Sequence, residues 1–319
     1  MKVKIVLFVP FLLYAMILNS QEFENRLIDE AFHFRVGQRI SSNHFHPGYQ
    51  IAFNEAGNVS YILSPNLYPV YRDTVPNYLA VYTYADNENV MEEHVYFMNE
   101  DTVQEFRFTK YEQKHDTLLV RVWNKDSELV AKILEIKDGN QTRRNYIADT
   151  ILPYSMSTHN SNVVLDYDSG ELNQLILDGN QNKHHKEFIL KRKGRMTIIS
   201  ERHQNDSLSW SMMRFRFYDK KGRLTNISST DKRRKWHSKF YYNRKGLLTR
   251  ITRRGRQMKT GKMVTSIIEY QQKISRKIDL NDHLRSKIND ELINLQYPIT
   301  GRMQYLNYLD SRRFISHHN

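Results

Sequence analysis

His44-Phe45-His46 is the first group in this chain whose residue types and spacing could do chemistry. On a strand, alternate residues share a face, so the two imidazoles would begin a metal-ligand set. No third ligand follows at a recognisable spacing, and no metal site is expected. His184-His185 and His317-His318 are adjacent and would point to opposite faces of a strand. There is no glycine-rich phosphate loop and no nucleophile elbow, and Ser, His and Asp occur at no diagnostic spacing. No catalytic residue and no cofactor is therefore assigned. What remains is cations interleaved with rings, in Phe215-Arg216-Phe217-Tyr218 and Lys239-Phe240-Tyr241-Tyr242. Rings can stack on sugars while neighbouring cations hold acidic groups. The candidate ligand contacts are Arg214, Arg216, Tyr218, Tyr242, Arg250 and Arg253. Alternation along Met213-Arg214-Phe215-Arg216-Phe217 predicts Phe215 and Phe217 on the core face, with Arg214, Arg216 and Tyr218 on the other.

These cations sit in a chain whose charge is divided. The net charge is +13, but residues 1–180 carry 15 Lys and Arg against 24 Asp and Glu, or −9, while residues 181–319 carry 33 against 11, or +22. A basic surface concentrates anions. The densest runs are Lys191-Arg192-Lys193, Lys232-Arg233-Arg234-Lys235 and Arg253-Arg254-Gly255-Arg256. The competing reading is that charge at turns and edges keeps a sheet soluble and unpaired.

The elements that must carry these side chains repeat. Tyr167-Asp168-Ser-Gly170-Glu-Leu172, Leu190-Lys-Arg-Lys-Gly194-Arg-Met196, Tyr218-Asp219-Lys-Lys-Gly222-Arg-Leu224 and Tyr242-Asn243-Arg-Lys-Gly246-Leu-Leu248 have glycines 24, 28 and 24 residues apart. A fixed period in this range marks a repeat architecture. Each unit reads as strand, Asp/Asn-Gly turn, strand. A turn over 219–222 places Phe217 opposite Leu224, Tyr241 opposite Leu248 and Ile189 opposite Met196; a two-residue Ser169-Gly170 turn places Tyr167 opposite Leu172. Leu224 and Ile227 are an odd distance apart, so either both sheet faces are covered or a bulge corrects the register. The Tyr218–Ile227 unit resembles the YD, or RHS, repeat family, with Tyr167–Leu172 and Tyr242–Leu248 as degenerate copies; the MORN-variant hairpin repeats of bacterial envelope proteins are similar. The resemblance covers roughly residues 160–280, with Phe53–Ile62 as an isolated weaker match. It implies long antiparallel sheets that form shells or carbohydrate-binding surfaces, and no catalytic residues.

Lys2 and Lys4 precede an apolar run from Ile5 to Leu18, and a polar segment starts at Gln21, which is the order of a secretory signal over residues 1–20. The chain has no Cys, so disulfides and a lipid-modified cysteine are excluded. The predicted division is a signal at 1–20, an acidic β region at 21–139, a linker at 140–162, a basic hairpin-repeat region at 163–280, a helix at 281–297 and a tail at 298–319. A short helix is also expected to open the segment 22–40. The fold class is mainly all-β, a twisted antiparallel meander of repeated hairpins with a short C-terminal helix. Taken together, the sequence points to a non-catalytic periplasmic or secreted binding or scaffold protein. Its expected partner is an anionic glycan, lipopolysaccharide or an envelope protein. Nucleic acid is disfavoured, since no motif supports it. The alternatives are an envelope hydrolase with a site in the N-terminal half, or a carrier of amphipathic molecules in a curled sheet.

Overall fold

The structure, a computed structural model, describes residues 31–40, 45–64, 77–85, 90–98, 103–148, 162–178, 186–203, 212–231, 235–256, 261–274 and 280–296. The expected signal, His44 and the C-terminal tail lie outside them. The strands are β1 (Phe32–Ile40), β2 (Phe45–Phe53), β3 (Val59–Ser64), β4 (Asn77–Tyr84), β5 (Val90–Met98), β6 (Val103–Lys114), β7 (Thr117–Asn124), β8 (Leu129–Asp138) and β9 (Gln141–Ala148). They continue with β10 (Asn162–Asp168), β11 (Glu171–Asp178), β12 (Lys186–Lys193), β13 (Met196–His203), β14 (Met212–Tyr218), β15 (Leu224–Asp231), β16 (Lys235–Tyr242), β17 (Leu248–Arg256) and β18 (Met263–Ile274). Helix α1 (Asp282–Gln296) follows. Each strand pairs antiparallel with the next, and β1 pairs with both β2 and β18, closing the 18 strands into a barrel. Closure removes the free edges that a meander of this length would otherwise expose. The segment expected to be a linker contains β9, which pairs with β8 and β10, so the ladder runs unbroken from the acidic half into the basic half. The described part of the segment expected to begin with a helix is strand β1.

The hairpins explain both the closure and the odd spacing. Asn54, Asn124, Asp219 and Asn243 each open a five-residue turn in which the side-chain Oδ1 accepts from the backbone N–H four residues on, at 2.9–3.0 Å. The same turn closes with a backbone bond from residue i to the carbonyl of i+4, at 2.9 Å in Asp219→Arg223 and Asn243→Leu247. The returning strand then carries one extra residue, so Tyr218 pairs with Leu224 and Phe217 with Asn226. Tyr242 pairs with Leu248 and Tyr241 with Arg250 in the same way. The expected pairings of Phe217 with Leu224 and Tyr241 with Leu248 are therefore corrected by one position, because the turn takes five residues where four were counted. Ile189 pairs with Ser200, and Lys193 pairs with Met196 across the shorter Gly194-Arg195 turn. Tyr167 does pair with Leu172. The bulge turns both members of each odd-spaced pair inward: Leu224 and Ile227 are 4% and 1% exposed, and Leu248 and Ile251 are 1% and 0%.

The inward faces form one apolar cluster running around the barrel, including Phe34, Ile51, Phe53, Val120, Leu165, Leu175, Phe188, Ile227 and Ile251. Helix α1 joins it through Leu284, Ile288, Leu292 and Ile293. Because consecutive strands alternate in direction, the turns after even-numbered strands gather at one end, and α1 packs there. Asn289 accepts from Leu248 N–H at 2.8 Å and donates to the Gly246 carbonyl at 2.9 Å, and the Tyr270 hydroxyl donates to the Leu292 carbonyl at 3.4 Å. The helix thus covers the β2–β3 and β16–β17 turns at that end.

Candidate binding face

The register decides which way each candidate contact points. Arg214 pairs with Ser229 and Arg216 with Ile227, which places both on the inner face with Tyr218. Phe215 and Phe217 face outward, opposite to the expectation, and Phe217 remains 36% exposed. The cause is the Tyr218–Leu224 pair: once that pair is seated in the core, residues 216 and 214 must follow it inward. Glu201 on β13 receives Arg214 at 3.4 Å. Burial works against the Arg214 charge, and Glu201 supports it. Two other cross-strand pairs occupy the inner side, Glu93 with Arg107 at 3.3 Å and Glu135 with Arg144, whose Nε donates at 2.8 Å. Burial beside Glu135 pushes the Tyr167 hydroxyl up to about 12.

Tyr242 also turns inward. Its hydroxyl donates to the Leu224 carbonyl at 2.7 Å, and Tyr84 repeats the contact to the Val59 carbonyl at 2.7 Å. Each of these tyrosines precedes one turn and reaches the residue that follows the preceding turn at the same end. Adjacent hairpins are thus tied together. Arg253 lies on the inner face beside Ser238, with its guanidinium 4.4 Å from the Trp236 ring centre. Of the six candidate contacts only Arg250 faces outward, 4.3 Å over the Tyr241 ring. The structure therefore brings Arg214, Arg216, Tyr218 and Tyr242 to one wall, and that wall is the interior.

The outer face of β16 and β17 carries a different set: Lys235, Lys239, Arg250, Arg254 and Arg256, all exposed. Their outward direction follows from the pairs Thr230–Lys235, Lys239–Thr252, His237–Arg254 and Arg256–Met263. Glu269 on β18 is the carboxylate opposite Arg250. Among the described residues none of the five cations forms an ion pair. The signal for this face was present in the sequence as the alternation Lys235, His237, Lys239 and Tyr241, but alternation alone does not say which face is outside.

Beside these cations, β14 to β18 form a groove of about 450 Å3, lined by Phe215, Ser228, Lys235, His237, Arg254 and Met263 among others. Ser228 Oγ and His237 Nδ1 are 2.9 Å apart. Partial burial and the nearby Lys239 hold the His237 imidazolium below the ordinary histidine range.

The outer face elsewhere carries ion pairs and, on β2 to β4, a second buried apolar cluster of Ala52, Tyr61, Leu63 and Leu79. Arg121 meets Glu112 at 2.7 Å, and Arg202 pairs with Glu187. No helix among the described residues is long and apolar enough to cross a membrane. No group of His, Cys, Asp and Glu among them has the arrangement of a metal site.

No family model matches the chain, and no curated protein matches it. Among solved structures it is similar to a porin-like protein from Bacteroides uniformis, at 8% identity over 76% of this chain and 98% of that one, with a TM-score of 0.42. A protein of unknown function from Bacteroides fragilis matches 42% of this chain and 93% of its own, at 10% identity and a TM-score of 0.27. These scores are low, and the barrel rests on this chain's own strand pairings. The fold is β-rich and repeat-like, and its kinship with YD repeats stays at the level of a resemblance.

Proposed function

We propose that the protein is a non-catalytic binding protein of the bacterial envelope, exported and processed near Gln21, that captures an anionic glycan or lipopolysaccharide on the outer face of β16 and β17. The observation that carries this reading is the set of five outward, exposed cations, Lys235, Lys239, Arg250, Arg254 and Arg256, against one facing carboxylate, Glu269. Unpaired surface charge of one sign draws polyanions and holds them in a salt-dependent way. The packed, ion-paired inner face supports a structural role for Arg214 and Arg216, and it lends nothing to a carrier role. The test uses the full chain with heparin, lipopolysaccharide and anionic vesicles. Binding is expected at low salt, to weaken as salt rises, and to fall in a Lys239→Ala/Arg250→Ala/Arg254→Ala variant. An Arg216→Met variant is expected to change stability and leave binding alone. The reading fails if the wild type binds none of these polyanions at low salt, or if the triple variant binds them equally well.

A further inference from the structure

The groove on β14 to β18 has more in it than charge. Across its floor the outward row runs Phe215, Ser228, His237 and Arg254, each paired in register with the next. At one end stand Thr230 and Lys235, paired with each other. Met263 is 58% exposed and forms an apolar rim beside Arg254. The Ser228–His237 contact fixes the imidazole. With the hydroxyl donating to Nδ1 the ring presents an Nε2–H donor to the wall, and in the other tautomer it presents an acceptor. The outward part of the lining is therefore two cations, one imidazole, two hydroxyls, an aromatic ring and a thioether, in a space that suits one or two sugar rings. A carboxylate would take the Arg254 fork. Sugar hydroxyls would meet Ser228 and Thr230, and the apolar face of a ring would lie against Phe215.

We propose that this groove is a discrete subsite for an acidic sugar unit, with Arg254 and Lys235 holding its carboxylate and Phe215 supporting its ring. The proposal deepens the reading of the basic face and rests on it. The charged and titratable groups around His237 are Lys235 and Lys239 on its own strand and Arg254 on β17; β15 presents Ser228 and Thr230, and β14 presents Phe215. Partial burial, and after it the charge of Lys239, keeps the imidazole neutral to a lower pH than usual, and its protonation adds a third charge to the groove.

Digalacturonate serves as the probe, with neutral galactobiose as its uncharged counterpart, and binding is followed by calorimetry and by the His237 ring resonances. The wild type is expected to bind digalacturonate, to bind galactobiose far more weakly, and to shift the His237 signals. Arg254→Gln should weaken binding about tenfold or more, the size of one charge-assisted hydrogen bond. Lys220→Gln, an exposed cation in the β14–β15 turn outside both the groove and the basic face, should change it less than about twofold, as expected of a screened surface charge. Affinity should rise as the pH falls below the ordinary histidine value of about 6.5, and His237→Gln should abolish that rise. The subsite is overturned if Lys220→Gln and Arg254→Gln weaken binding equally, or if His237 does not respond to the ligand. It is overturned also if heparin binds while digalacturonate does not, an outcome that leaves the broader basic-face reading intact. If neither binds, both readings fall.

Discussion

At the scale of single residues, the turn side chains do the work that the repeat signature advertises. Asp219 accepts from the Arg223 and Lys221 backbone N–H groups at 3.0 and 2.8 Å, and Arg223 Nε lies 2.8 Å from its second oxygen. Partial desolvation alone would raise its pKa, but these donors outweigh it and hold the carboxyl below its ordinary value. A carboxyl lowered by folding stabilises the fold above its unfolded value near 4, and that contribution fades as pH falls through the folded value. Asp219→Ala is expected to cost about 1 kcal/mol at neutral pH, in the range of one lost cap or turn hydrogen bond. The difference from wild type should shrink as the pH falls below the ordinary carboxylate value near 4, in urea melts at a series of pH values. Ser127 offers the opposite change. It occupies the position that Gly57, Gly222 and Gly246 take in the sister turns, with a φ of 61°. A non-glycine residue there carries strain of about 1–2 kcal/mol, and glycine's extra chain entropy returns part of it. Ser127→Gly should therefore raise stability by roughly 0.5–1 kcal/mol, read from the shift in denaturation midpoint.

At the scale of elements, hairpins that look alike in sequence differ in what covers them. Gly57 and Gly222 share a φ of 75°. A Cβ on Gly222 meets open space, whereas one on Gly57 would come within 2.5 Å of Leu284 Cδ1 on α1. Gly222→Ala should cost about 1–2 kcal/mol, the backbone strain alone. Gly57→Ala should cost about 1–3 kcal/mol more, because the added methyl overpacks the seat of the helix. A Gly57→Ala/Leu284→Ala double variant separates strain from clash, since its loss should fall short of the sum of the two single losses. Leu248 is 1% exposed beneath the same helix, so Leu248→Ala should lower stability by about 2–5 kcal/mol in denaturant unfolding. The bulge after each five-residue turn explains why the apolar signature has an odd spacing and still builds one core.

For the whole molecule, the decisive contact is the one through β9. The charge split suggests two domains, yet β9 is hydrogen-bonded to β8 on one side and β10 on the other, and β1 closes the ring against β18. A closed ladder has no internal break at which one half can unfold and leave the other intact. Far-ultraviolet circular dichroism and tyrosine and tryptophan fluorescence should therefore report one coincident transition. Two separated transitions, tracking the acidic and basic halves, would show that the halves are independent. Closure also gives the two sheet faces separate tasks, with the main core and the pairs Glu93–Arg107, Glu135–Arg144 and Glu201–Arg214 inside and exposed cations on the outer face of β16 and β17.

Much of this was present in local chemistry. Period-two alternation located the strands, and the Asp/Asn-Gly signature located the turns. Helical spacing of Leu284, Ile288, Leu292 and Leu295 located α1, because each is a property of neighbouring residues. The facing of Arg214 and Arg216 was not local. Alternation assigns two faces and is symmetric between them, so inside and outside were settled by the bulge, by the seat of Tyr218 on Leu224, and by Glu201 arriving from another strand. The basic groove shows the same division. Its cations are written along β16 and β17, but five strands had to be set side by side before Phe215, Ser228, His237 and Arg254 became one row. The sequence by itself determined the hairpins and the positions of charge. Only the tertiary structure decided which charges were buried in pairs and which were left facing water, because that depends on a register fixed by core packing and by the closure of β1 on β18.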